Sequence, residues 1–346
     1  MERQQTDSAA TTPAAPHPAA TQMQAIVQDT YGDADNLRLD QIPAPAVDVD
    51  DVLIDVRAAG VHIGDWHVMT GQPYLMRIMG FGFRGPKARV RGMDVAGTVA
   101  AVGANVTRFQ AGDEVYGTCD GAFAEHATAR IATLAAKPAG LTFEQAAAIP
   151  TSACTALQAL RDAGRITAGQ RVLIIGASGG VGLFAAQIAK AFGAEVTGVC
   201  SGAKAELVRS VGADHVIDYT DTDITTSGQR YDLVLDMGGD RTLSQLRRCL
   251  TPRGTLVLVG GEGGGRLIGG AMVRSLRAVA VSPFVKQNLR MVLGTTTSKD
   301  LQALTALIDS GKINPVIDHS YPLSQAADAI RHLHTGRAKG KLVITV

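Results

Sequence analysis

Within the stretch VHIGDWH, Val61 to His67, two histidines and an aspartate fall inside six positions. Imidazoles and a carboxylate so close together are donor types for a metal. If the stretch is extended or loop-like, however, the side chains of His62, Asp65 and His67 do not automatically converge. The local alternatives are hydrogen bonding for Asp65, an exposed position for His67, and for His62 either a structural role or a place beside the chemistry. A second chemically loaded stretch is GASGGVG, Gly176 to Gly182, between the apolar run RVLIIG and the helical pattern GVGLFAAQIAKAFG. A glycine-rich turn there lets backbone N–H groups at a helix start hold a pyrophosphate, aided by the helix dipole. Glycines 176, 179 and 182 depart from strict G-x-G-x-x-G, so the alternative is a turn that only packs helix against strand.

The strand after that helix, EVTGVC, ends at Cys200-Ser201 without the acidic residue that holds the ribose hydroxyls of NAD. Lys204 follows, and Tyr219 ends the third strand. A hydroxyl, a cation and a phenol suit a 2′-phosphate, which a carboxylate would repel. NADPH is therefore expected over NADH. The alternative for Lys204 is an ordinary surface position on a helix.

Positioning these groups takes two kinds of lobe. From Met23 short alternating strands (VLIDVRAAG, DVAGTVAAVG) are punctuated by Gly, Pro and Asp, the texture of an antiparallel, loop-rich unit. LTFEQAAAIPTSACTALQAL is helical in period, with Thr142 and Gln145 placed as a capping box. From Gln170 to Pro283 continuous apolar strands alternate with amphipathic helices, which predicts a parallel sheet covered on both faces and an α/β fold. Two further helices and a closing strand, KLVITV, follow.

Composition narrows the function classes. The chain has 346 residues, enough for two cores, and Lys+Arg 33 against Asp+Glu 32 leaves a net charge of +1 with no basic block. Neither a nucleic acid nor a membrane surface is indicated as a partner. Four cysteines, far apart and without a CxxC pair, argue against a disulfide framework and for a reducing compartment, with the cytoplasm as the expected location. No apolar run approaches the roughly 18–20 residues of a membrane span. Residues 1–22, rich in Ala, Thr and Pro without an apolar centre, read as a disordered tail rather than a signal peptide.

The pieces AAGVHIGDW, RGMDVAGTVAAVGANVTRFQAGDEVYG, GAFAEHA, AAAIPTSACTALQAL, GASGGVG, VGADHVIDY and GKLVITV, in this order, resemble the medium-chain dehydrogenase/reductase superfamily. The resemblance implies a GroES-like, mostly-β catalytic domain (23–148 and 286–346) interrupted by a Rossmann, doubly wound parallel-sheet domain (149–285). It also implies that KLVITV returns to the first lobe and that the chain forms a homodimer by sheet extension. In the zinc alcohol dehydrogenases of this superfamily a Cys, a His and a second Cys hold the metal. Their positions correspond here to His62, to Met93 in Gly92-Met93-Asp94, and to Thr151, and the structural-zinc loop is missing. No metal is therefore expected.

What this implies is the zinc-free pattern of quinone oxidoreductases and double-bond reductases, in which NADPH delivers hydride to a quinone or an α,β-unsaturated carbonyl compound. Without a Lewis acid, oxidation of a simple alcohol is hard, whereas an activated π-system needs only hydrogen-bond donors at its oxygen. His62 and Tyr74 are the candidate donors. The resemblance assigns cofactor contacts to Thr151, to Ser178, Gly179, Gly180 and Val181, to Ser201, Lys204 and Tyr219, to Val259 and Gly260, and to Phe284 closing over the cofactor. PYLMRIMGFGFRGPK, from Pro73, supplies Met and Phe for one wall of a pocket for a small hydrophobic substrate, or buries them in the lobe or a dimer contact. The competing functions are an NADPH-binding protein with little turnover and an NAD(P)-dependent alcohol dehydrogenase.

Overall fold

Two patterns of apolar residues produce two different sheets in the computed structural model, which describes residues 22–260 and 267–346. The tail expected over residues 1–22 lies outside the described residues, Gln22 excepted. The first lobe contributes β1 (Met23–Val27), β2 (Arg38–Ile42), β3 (Asp51–Val61), α1 (Ile63–Thr70), β4 (Asp94–Val102), β5 (Glu114–Thr118), β6 (His126–Arg130), β7 (Leu134–Ala136) and α2 (Phe143–Ala147). The helix α3 (Pro150–Gln158) leads into β8 (Arg171–Ile175), α4 (Gly180–Ala191), β9 (Glu195–Cys200), α5 (Ala205–Ser210) and β10 (His215–Asp218). Then come β11 (Tyr231–Asp236), α6 (Leu243–Arg248), β12 (Leu250–Leu258), α7 (Gly270–Val281) and β13 (Asn288–Met291). The chain closes with α8 (Ser298–Asp309), β14 (Ile317–Pro322), α9 (Ala326–His334) and β15 (Lys341–Thr345).

The second sheet runs β10-β9-β8-β11-β12-β13, all parallel. Its central strand shows why these segments are apolar throughout. Val172 and Ile174 join one core cluster while Leu173 and Ile175, pointing the other way, join a second. Strand order reverses between β8 and β11, so a crevice opens at the carboxyl ends of those strands.

The first sheet is built on β3, which pairs antiparallel with β4, β6 and β15. Leu342 stands opposite Val61 and Thr345 opposite Ala58, so the last strand completes a sheet begun almost three hundred positions earlier. Thr142 and Gln145 exchange their capping bonds at the start of α2, at 3.2 and 3.0 Å. Two features differ from expectation. The parallel sheet extends through β13 to Met291, beyond the boundary at 285, because Leu289 is buried in the second unit's core. The segment 270–281 forms α7, a helix that the surrounding glycines and short apolar runs obscured. Among the described residues no helix is long and apolar enough to cross a membrane.

Candidate active site

At the end of β3 the chain turns sharply into α1, and His62 is its N-cap. His62 Nδ1 accepts from the Gly64 N–H at 3.0 Å, and Asp65 Oδ2 accepts from the His62 N–H at 2.9 Å. This reciprocal cap accounts for both side chains locally. His67 does not join them: its Nδ1 is 2.9 Å from the Gln72 carbonyl, and the residue is half-buried rather than exposed. Among the described residues no three His, Cys, Asp or Glu side chains are grouped as a metal site.

Behind His62 sits a cluster of buried charge. His62 Nε2 lies 3.8 Å from Asp65 and 4.0 Å from Asp94, too far for hydrogen bonds, and has no partner. Asp94 Oδ1 accepts from the Thr151 N–H at 3.0 Å and from its hydroxyl at 2.5 Å, while Oδ2 has none. Lys341, 3% exposed, donates to the Val61 carbonyl and to Ser152 Oγ, each at 3.0 Å. Burial raises the Asp65 carboxyl, opposed by His62, and lowers the Lys341 ammonium, opposed by Asp94 and Asp65. Asp94, Ser152 and Lys341 were not singled out in the sequence. The available signal was Lys341 itself, a cation opening the otherwise apolar strand KLVITV.

A cleft of about 1170 Å³ lies between the lobes. The glycine turn forms its floor. The N-cap of α4, Gly179, provides no side-chain acceptor, so the N–H groups of its first turn face the cleft without one. A Cβ on Gly182 would sit 2.2 Å from the Gly176 carbonyl, so only glycine allows α4 to start this close to β8. This is a cradle for a pyrophosphate, and it fits a nicotinamide dinucleotide. His62, Thr151, Ser178, Gly179, Gly180, Val181, Ser201, Lys204, Tyr219, Val259 and Gly260 all line the cleft.

Lys204 has a structural duty that the sequence did not reveal. Its Nζ donates to the carbonyls of Gly336 and Ala338, both at 2.7 Å, tying the second lobe to the turn before β15, and burial lowers its pKa. Asp223 also lines the cleft near Tyr219; its carboxylate accepts from the Thr225 N–H and hydroxyl, each at 2.9 Å. Arg274, on α7, donates to Asp236 at 2.5 Å and to the Gly260 carbonyl at 2.6 Å. That buried ion pair fixes α7 over the carboxyl ends of β11 and β12, so Met272 and Ser275 become cleft wall.

Two expected site residues lie elsewhere. Tyr74 does not line the cleft: its ring packs on the Arg77 guanidinium, 4.6 Å from its centroid. Arg77 also stacks on Tyr31 at 4.3 Å and donates to the Gly71 carbonyl at 2.9 Å, so it holds the end of α1 rather than a substrate anion. Phe284 is 87% exposed and outside the cleft, because α7 carries the chain past the cofactor floor before the SPF turn begins. Pro73, Leu75, Met76, Met79 and Phe81 do line the cleft, as do Ile268 and Met272.

Two family models match the chain: an alcohol dehydrogenase GroES-like domain over residues 48–159 and a zinc-binding dehydrogenase over residues 211–344. A 2-methylene-furan-3-one reductase of Solanum lycopersicum is 33% identical over 342 residues, covering 94% of this chain and 79% of the relative. A chloroplastic NADPH-dependent alkenal/one oxidoreductase of Arabidopsis thaliana is 33% identical, covering 93% of this chain and 79% of the relative. The structure of the quinone oxidoreductase from Coxiella burnetii superposes with a TM-score of 0.82 at 29% identity, covering 94% of this chain and 99% of that one.

The buried lysine gives a direct test of this junction. Lys341→Met keeps the aliphatic stem but leaves the Val61 carbonyl and Ser152 Oγ without their donor, and removes a buried cation whose charge Asp94 and Asp65 balance. Because the orphaned acceptors stay buried, the loss outweighs the relief of desolvating the ammonium, and stability falls by about 2 kcal/mol. Urea denaturation reads this as a lower midpoint at unchanged slope; an unchanged midpoint shows that Lys341 does not hold the lobes together.

Proposed function

Because the chain belongs to the medium-chain dehydrogenase/reductase superfamily, in its quinone-oxidoreductase-like branch, we propose that it reduces quinones or α,β-unsaturated carbonyl compounds. It is an oxidoreductase; NADPH is its reductant, and no zinc takes part. The observation that carries this reading is the donor set beside the glycine turn. His62 Nδ1 is engaged by the Gly64 N–H, the Thr151 hydroxyl donates to Asp94, and Met93 brings a thioether. These groups do not fit tetrahedral zinc, which is held by thiolates and free imidazoles. The relatives named for alkenal/one and methylene-furanone reduction support the same substrate class.

When bound, the reduced nicotinamide supplies hydride to the acceptor. The chain binds, orients and dries the site. The first turn of α4 holds the pyrophosphate, and the apolar wall from Met76, Met79 and Phe81 orients a planar acceptor and excludes water. His62 provides the hydrogen bond to the acceptor oxygen. With Nδ1 an acceptor, the proton of the neutral ring sits on Nε2, the nitrogen that lacks a protein partner. That nitrogen is buried, 3.8 Å from Asp65 and 4.0 Å from Asp94, so the ring turns toward the cleft to give its proton to a substrate oxygen. Ser201, Lys204 and Tyr219 receive the 2′-phosphate, with the one Lys204 proton not given to Gly336 and Ala338.

A cytoplasmic homodimer completes the proposal. Four buried, free cysteines suit a reducing compartment. β13 is an edge strand, and the segments before and after it carry exposed Leu276, Val279, Phe284 and Leu293, apolar side chains that a second copy would cover.

Three measurements test these statements. NADPH consumption with a panel of quinones and enones, in chelator-treated buffer, is expected to persist, and His62→Asn, which preserves the cap, lowers kcat/KM about tenfold or more. Absence of turnover across the panel defeats the reductase reading, and an unchanged His62→Asn removes His62 from the chemistry. Lys204→Ala is expected to raise the Kd for NADPH more than that for NADH, by about tenfold; equal losses discard the 2′-phosphate assignment. Sedimentation at micromolar concentration gives twice the chain mass, and a monomer there rejects the dimer.

A further inference from the structure

The exposed apolar surface at the cleft mouth is not used by the chemistry just described. The segment from Pro73 to Phe83 lines the cleft with Met79 and Phe81, themselves 59% and 38% exposed, and carries Ile78 and Phe83 outside it, each 73% exposed. The other lobe meets it with Ile268, on the cleft wall, and Leu267, 70% exposed. The two lips are joined: the Leu75 N–H donates to the Leu267 carbonyl at 3.0 Å, and a Cβ on Gly269 would lie 3.0 Å from the Pro73 ring. Exposed apolar side chains therefore sit beside cleft-lining ones on both lips, and backbone contacts join the lips there. Folded monomers rarely leave such a patch uncovered, and large exposed patches mark a binding surface.

We infer that this mouth is a subsite for the hydrocarbon tail of the acceptor, so the enzyme's substrates are amphiphilic quinones or enones carrying an alkyl, acyl or prenyl chain. The inference rests on the reductase reading for the identity of the head group. Three observations favour the tail over a second protein copy. The patch adjoins the cleft. It lies on both lobes across the mouth, where a docked copy would block substrate entry. Its Met and Phe side chains adapt to a flexible chain rather than a fixed shape. A tail that leaves the cleft between Met79 and Ile268 covers Ile78, Phe83 and Leu267 only if it is long enough to pass the rim.

A series of alkyl-substituted benzoquinones, unsubstituted, butyl, octyl and dodecyl, all kept below micelle-forming concentrations, tests this with NADPH oxidation as the readout. Full burial of a methylene changes kcat/KM about fourfold, so even partial cover predicts at least about a tenfold rise from the unsubstituted to the octyl compound. In Ile78→Ser/Phe83→Ser, two positions outside the cleft, the gain for octyl and dodecyl compounds shrinks while unsubstituted turnover and Tm stay the same. Tail-independent kcat/KM in an enzyme that turns over the unsubstituted quinone overturns the inference. So does a double variant that loses self-association while its tail dependence persists, since the lips then join two copies. If no quinone is reduced at all, the reductase reading fails separately, and calorimetry with the corresponding alkyl hydroquinones decides this one: a Kd falling with chain length supports it, a flat Kd overturns it.

Discussion

One buried ammonium organises the junction on which the site depends. Lys341 enters from the last strand, reaches the carbonyl at the end of β3 and the hydroxyl of Ser152 on α3, and lies against the start of α4, where a Cβ on Gly180 would be 3.2 Å from its Cδ. A charge in such a place is unfavourable unless its donors are met and opposite charge is near. Both conditions hold: two oxygens accept, and the carboxylates of Asp94 and Asp65 face it. The position of Thr151 follows, because Asp94 takes both its N–H and its hydroxyl. The imidazole of His62 is oriented locally, by the Gly64 N–H on its Nδ1, while Asp65 accepts from the His62 N–H.

The cleft divides its work by backbone and side chain. Peptide N–H groups at the start of α4 face the cleft, and backbone carbonyls anchor Lys204 and Arg274 beside it. Shape and dryness come from side chains on the loop after α1 and on α7. A backbone cradle beside an adaptable apolar wall separates fixed polar recognition from shape.

Much of the framework was legible in the sequence because it rests on periodicity. Strands apolar at every position had to be buried on both faces, and β8 is, with Val172 and Leu173 in different clusters. Thr142 and Gln145 were readable as a cap because capping chemistry is local. The glycine turn was readable from its place between an apolar strand and a helical pattern, although its spacing departs from the usual one; Gly182 packs against the Gly176 carbonyl of the same turn. Resemblance, not periodicity, brought KLVITV back to the first sheet.

Tyr74 and Phe284 show where local reasoning stops. Each is an aromatic residue in a segment near the site, and each faces away from it: Tyr74 because Arg77 draws its ring onto the guanidinium, Phe284 because α7 carries it past the cleft. The sequence by itself determined the two lobe types and the strand–turn–helix suited to a nucleotide, and its resemblance to the family added that two thiolates and an imidazole are replaced by His62, Thr151 and Met93. Only the tertiary structure decided that Lys341 and Asp94 meet there, that Lys204 bridges the lobes, and which aromatic residues reach the cleft. The reason is physical. Periodicity and turn chemistry depend on neighbours along the chain, whereas the partner of a buried charge and the course of a loop depend on groups brought together only when both lobes have formed.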